Sequence, residues 1–91
     1  MKRHAKKAYT AIAKLDGGFV IDRQENGNHF ILSAESHDTD GLPAADYYQE
    51  YLRQVGDENP WGIRTDINAI LEANGLYAEW INPGMLGVYD A

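Results

Sequence analysis

Ser36, His37 and Asp38 stand side by side, and they are the residue types of a nucleophile, a general base and its orienting acid. Neighbours in a chain rarely converge in those roles, so this run reads as a loop. His37, Asp38 and Asp40, with Asp46 further on, could bind a hard cation. Leu42, however, stands at the fifth position, where a calcium loop needs Asp or Asn. The reading that fits better is a solvated acidic loop in which Asp40 caps a helix. Asp22 and His29 form a third acid–base set, diagonal across a predicted hairpin, with no nucleophile or oxyanion donor to join them. Gly84 and Gly87 lack the spacing and the following helix of a phosphate loop. The chain has no cysteine, which excludes disulfides and thiolate zinc sites. The expectation is a protein without catalytic residues, metal or cofactor, and not an enzyme.

The elements that must position these residues follow from periodicity. From His4 to Asp16, Ala5, Ala8, Tyr9, Ile12 and Leu15 recur at helical spacing, with Arg3, Lys7, Thr10 and Lys14 on the opposite side. Gly17-Gly18 ends that helix. Residues 19–34 read as a hairpin around Asn26-Gly27, the residues a type I′ turn favours. A two-residue loop there pairs Arg23 with Phe30, Ile21 with Leu32 and Phe19 with Ala34, placing Phe19, Ile21, Phe30 and Leu32 on one buried face.

A second helix is expected over about 42–55, with Pro43 in its first turn and Tyr47, Tyr48, Tyr51, Leu52 and Val55 on its core side. Asp66 can cap a third, whose apolar face is Ile67, Ile70 and Leu71 and which ends at Asn74-Gly75. A final hairpin joins 77–81 to 85–89 around Asn82-Pro83-Gly84. Pro-Gly favours a type II turn whose twist suits a tight hairpin poorly, so a longer loop stays open. A two-residue loop would place Ile81 opposite Leu86 and Glu79 opposite Val88, with Trp80 and Tyr89 on the other face.

The fold class is therefore α+β, in the order αββ–α–αββ. Its sheet is mostly antiparallel and four-stranded, with the helices packed on one face. Residues 1–91 make one domain. Residues of about 4–34 and 65–91 can be laid beside each other as αββ pseudo-repeats, matching Ile12 with Ile70, Gly17 with Gly75 and Phe19 with Tyr77. The helix of about 42–55 joins them.

The net charge of −6 is unevenly spread. Lys2, Arg3, Lys6, Lys7 and Lys14 precede any acid, whereas Glu35, Asp38, Asp40, Asp46, Glu50, Asp57 and Glu58 face only Arg53. An acidic chain repels nucleic acid and attracts basic surfaces. The basic start followed by AYTAIAKL is a poor secretion signal, because the apolar run is short and broken by Lys14. No stretch approaches the ~20 apolar residues of a membrane span. A cytoplasmic protein is expected.

The leading reading is a small acidic binding module that acts by contact with a protein bearing a basic surface. Trp80, Tyr89 and Trp61 would supply an aromatic patch on the open sheet face, and Asp46, Glu50 and Asp57 an acidic one. The alternatives are a homodimer sealed by the last hairpin, or a nucleic-acid binder using Lys2, Arg3, Lys6 and Lys7, which the overall charge disfavours. In size and charge alone the chain resembles the accessory inhibitors of phages and mobile elements, of the anti-CRISPR or anti-restriction type.

Overall fold

The structure is a computed structural model that describes residues 1–48, 52, 55–56 and 62–91. Helix α1 spans Arg3–Ala13 and buries Ala5, Ala8 and Ile12. The small alanines let it lie close to the sheet, and Tyr9 meets the Phe30 ring edge-on at 5.3 Å. Strands β1 (Val20–Ile21) and β2 (Phe30–Ser33) follow, then α2 (Thr65–Ala73), β3 (Leu76–Asn82) and β4 (Met85–Asp90). The sheet is antiparallel throughout, in the order β1-β2-β4-β3. Each helix precedes a hairpin, and the two hairpins join through their second strands. Both helices cover the same face, where Phe30, Leu32, Leu86 and Val88 meet Ile12, Ile67 and Leu71 in one core.

Both turns form as two-residue loops, yet both registers differ by one residue from the simple pairing. Asn26 and Gly27 have φ of 57° and 81°, and Asn28 N donates to Glu25 O, as a type I′ turn requires. Beyond the turn, Arg23 N donates to Ile21 O, so a short turn over Asp22 takes up one residue of the first strand. Ile21 therefore pairs with Ile31, not Leu32, and Val20 pairs with Leu32. Val20 faces the core and Ile21 is exposed. Phe19 still reaches the core because its backbone turns left-handed, at φ 61°.

In the second hairpin Asn82 pairs with Met85 across Pro83-Gly84, and the register then shifts between Trp80 and Asn82. Ile81 is the extra residue. Trp80 thus pairs with Leu86 and Ala78 with Val88 on the core side, while Tyr77 pairs with Tyr89 on the open face. Because the side-chain period of a strand is two, each bulge reverses the faces of everything beyond it.

The expected helix of about 42–55 does not begin at Leu42. Residues 42–48 carry no helix; the chain instead bridges His37 to Pro43 and Ala45 to Ile63. Asp46 N donates to Gly62 O at 2.7 Å and Ala44 O accepts from Arg64 N at 3.0 Å. Those groups are committed sideways and cannot enter a helical ladder. Tyr47 and Tyr48 are exposed rather than core; Tyr51 and residues 49–50, 53–54 lie outside the described residues.

Arg64 ties this loop to the rest. Its guanidinium bonds Asp38 Oδ2 at 2.9 Å and Asp66 at 2.9 and 3.1 Å, and lies over the Phe19 ring at 5.0 Å. Asp38 Oδ1 accepts from Asp40 N and Leu42 N. Both Asp38 oxygens are thus engaged, so the cation loop weighed from sequence does not assemble, and Asp38 orients Arg64 rather than His37. Asp40 caps no helix, and Asp66 lies in the first turn of α2, where it accepts from Ile67 N.

Gly62 stands at φ +81°, and a Cβ there would lie 2.7 Å from the Asp46 carbonyl oxygen. Gly27, at the same φ, has open space around it. Gly27→Ala should cost roughly 1 kcal/mol from its backbone alone. Gly62→Ala should cost about 1–3 kcal/mol more, read as a lower melting temperature, because backbone must move.

The hydrogen bond from Leu42 N, then Arg64, holds the Asp38 carboxyl below its ordinary value against the cost of burial, and Thr39 does the same for Asp16. A depressed folded pKa stabilises above the unfolded value, near pH 3.9, and that stabilisation is lost as pH falls through the folded pKa. Acid denaturation followed by circular dichroism should steepen below about pH 4. Asp38→Asn should flatten that limb while lowering stability at neutral pH.

Candidate functional site

The two ends of the sheet carry different chemistry. At the β3–β4 turn, Tyr47 meets Trp80 edge-on at 5.2 Å and 86°, and Tyr48 meets Tyr47 at 5.2 Å and 78°. Tyr47 is 49% exposed and Tyr48 70%. The tyrosines stand on the loop that Asp46 anchors, and Trp80 is held by the core beneath them. A shallow groove runs beside this row, walled by Tyr47, Tyr48, Pro43, His37 and Pro83. Glu35, next in the chain to the lining residue Ala34, lays its carboxylate against Gly84, beside Pro83 of the groove wall, 3.0 Å from where a Cβ would stand. Rigid ring faces and a carboxylate around a concavity suit apolar stems and cationic heads of side chains.

At the opposite end, three elements converge. His4 from α1 and His29, just before β2, both place Nε2 against Asp90 Oδ1 at the end of β4, at 2.5 and 2.9 Å. The two imidazoles are 5.4 Å apart, edge to face. Lys2 Nζ stands 4.0 Å from Asp90 Oδ2. The hydrogen bond with His4, then that with His29, holds the Asp90 carboxyl down at about 2. The diagonal Asp22–His29 pair expected of the hairpin does not form: Asp22 accepts from Gln24 instead. His4 was missed, for it lies in a basic helix and 86 residues from its partner.

The sequence-derived contact residues separate in space. Tyr89 lies on the open face, paired with Tyr77, its ring over Gly87. Trp80 is not beside it, since the bulge at Ile81 turns Trp80 to the core side. Asp46 is buried, 6% exposed, and its Oδ2 accepts from Leu52 N at 3.2 Å. It anchors the loop and offers no surface charge. Trp61, Glu50 and Asp57 lie outside the described residues. Arg3, Lys6 and Lys7 share an exposed helix face with Thr10 and Lys14, while Lys2 reaches towards Asp90. No second basic side chain among the described residues extends that face: Arg23 pairs with Glu25, and Arg64, largely covered, pairs with Asp38 and Asp66. No helix among the described residues is long and apolar enough to cross a membrane.

Asp46→Ala should therefore destabilise the fold by roughly 1–3 kcal/mol, by orphaning a buried donor, and lower the melting temperature; a surface acid would change little. The chain matches no protein-family model, and neither a curated protein nor a solved structure matches it significantly.

Proposed function

We propose that this protein is a non-enzymatic contact module whose aromatic groove receives a basic segment of a protein partner. The observation that carries the reading is the Trp80–Tyr47–Tyr48 row, exposed at its outer end, with the Glu35 carboxylate at the neighbouring β3–β4 turn against Gly84. Tyrosine and tryptophan bury much area at low entropic cost and dominate binding hot spots. The net charge of −6 supports a basic partner by steering it and by discriminating against acidic surfaces. Arg or Lys side chains of the partner would lay their stems on the tyrosine faces, with their charge towards Glu35. Such a module acts by occupation: the basic surface it covers is no longer open to its own ligand. An accessory inhibitor of a nucleic-acid-processing protein works in this way, and the small size and acidity agree with that role.

The test captures proteins from lysate on the immobilised full chain and then measures the purified partner by calorimetry. Tyr48→Ala and Glu35→Lys should each weaken binding about tenfold or more, corresponding to ~1.4 kcal/mol, with melting temperatures near wild type. Affinity should also fall as salt rises. Tyr77→Ala, on the open sheet face, serves as the control. If the partner binds both groove variants as tightly as wild type, or only Tyr77→Ala loses it, the groove is not the contact surface. Recovery of the chain alone, with a dimer by light scattering, would replace this reading by self-association.

A further inference from the structure

We infer that His4, His29 and Asp90 form a surface site for one divalent first-row transition-metal ion of the zinc type. Two imidazole nitrogens and one carboxylate oxygen come from three separate elements, and the three ligand atoms lie within 4.8 Å of one another. This donor set selects for zinc-like ions: imidazole suits zinc, copper and nickel, whereas calcium and magnesium take oxygen ligands. It also matches the three-ligand pattern of open zinc sites, where water or an incoming ligand holds the fourth position.

The geometry needs a small adjustment. Ligand atoms around a tetrahedral ion with bonds of about 2.0–2.1 Å are separated by about 3.3 Å. Both His Nε2 atoms now sit at hydrogen-bond distance from the same Asp90 oxygen, 2.5 and 2.9 Å away. An ion entering between them replaces those hydrogen bonds and opens the two His–Asp90 separations by less than about 1 Å, which side-chain rotation supplies. Asp90 and His4 are half-exposed, at 50% and 39%, so an ion reaches them from solvent. His29 is 14% exposed and fixes the inner side of the site. Lys2 is the group that opposes an ion, but its side chain is 72% exposed and its distance to Asp90 is 4.0 Å, so it can swing away.

Such an ion would clamp the start of α1 to the central strand β4 and to the approach to β2. Its effect is therefore visible in stability without any assay of function.

The test titrates zinc sulfate into the full-length protein freed of metal, followed by calorimetry and by the melting temperature. Cobalt(II) absorption serves as a report on coordination. One ion per chain should bind, raise the melting temperature reversibly with a chelator, and shift the ring signals of His4 and His29 in nitrogen-15 spectra. His4→Ala and Asp90→Asn should each weaken binding by at least roughly tenfold, and His37→Ala, the remaining histidine, should leave it unchanged. His4 is half-exposed in the first turn of α1 and outside the core, so its variant keeps the fold even if a change at His29 does not. Absence of binding by the wild type overturns the inference. So does binding that survives His4→Ala and Asp90→Asn, or binding lost in His37→Ala, since either would place the ion elsewhere.

Discussion

Arg64 is the constraint on which the described loops depend. A guanidinium at 11% exposure must have its charge and its donors met, and the fold meets them with Asp38, Asp66 and the face of Phe19. Burial works against the charge, and the bonds from Asp66 and Asp38 more than offset it. Each partner comes from a different part of the chain: Asp66 from the first turn of α2, Asp38 from the loop after β2, Phe19 from the left-handed turn after α1. Removing either carboxylate leaves part of the guanidinium's charge and donors unmet. The same residue donates its backbone N–H to Ala44. One side chain thus aligns a helix, a loop and a strained turn.

That alignment sets where the aromatic row stands. Ala44, Ala45 and Asp46 run along residues 62–64, and the chain then leaves with Tyr47 and Tyr48 directed at the β3–β4 turn. Trp80 meets them there only because the bulge at Ile81 has turned it to the core side. Without the bulge it would stand on the open face with Tyr89, and Tyr77 would turn to the core side. The open face is left with the Tyr77–Tyr89 pair, Ile21 and Arg23, whose guanidinium touches the Met85 sulfur. Ile31, fully buried yet outside the main core, lies in that same layer.

Charge is divided in space as it is in the chain. Arg3, Lys6, Lys7 and Lys14 line the outer side of α1, while Glu35 lays its carboxylate against Gly84 at the hairpin turn. The acids between them differ in fate. Asp38 and Asp46 are structural, held by backbone donors and by Arg64, and only carboxylates outside such bonds shape the external field. Counting acids in a segment therefore overstates the charge a partner meets.

Local signals were enough for the elements themselves. The spacing of Ala5, Ala8 and Ile12, the glycines after each helix, Asn26-Gly27, and the Ile67–Leu71 face made α1, α2 and both hairpins legible, and with them a four-stranded α+β fold. These are short-range properties: helical period, left-handed glycine and turn type act within a few residues. The registers were not legible, because one extra residue at Asp22 or Ile81 reverses the faces of a strand and leaves no mark in its composition. Nor was the extended path of residues 42–46, where hydrogen bonds to residues 62–64 override a helical pattern of tyrosines. Tyr47 thereby passed from expected core to groove wall. The meeting of His4, His29 and Asp90, with partners 61 and 86 residues apart, was decided by tertiary structure alone, since only the folded sheet and its helix bring those side chains to one point.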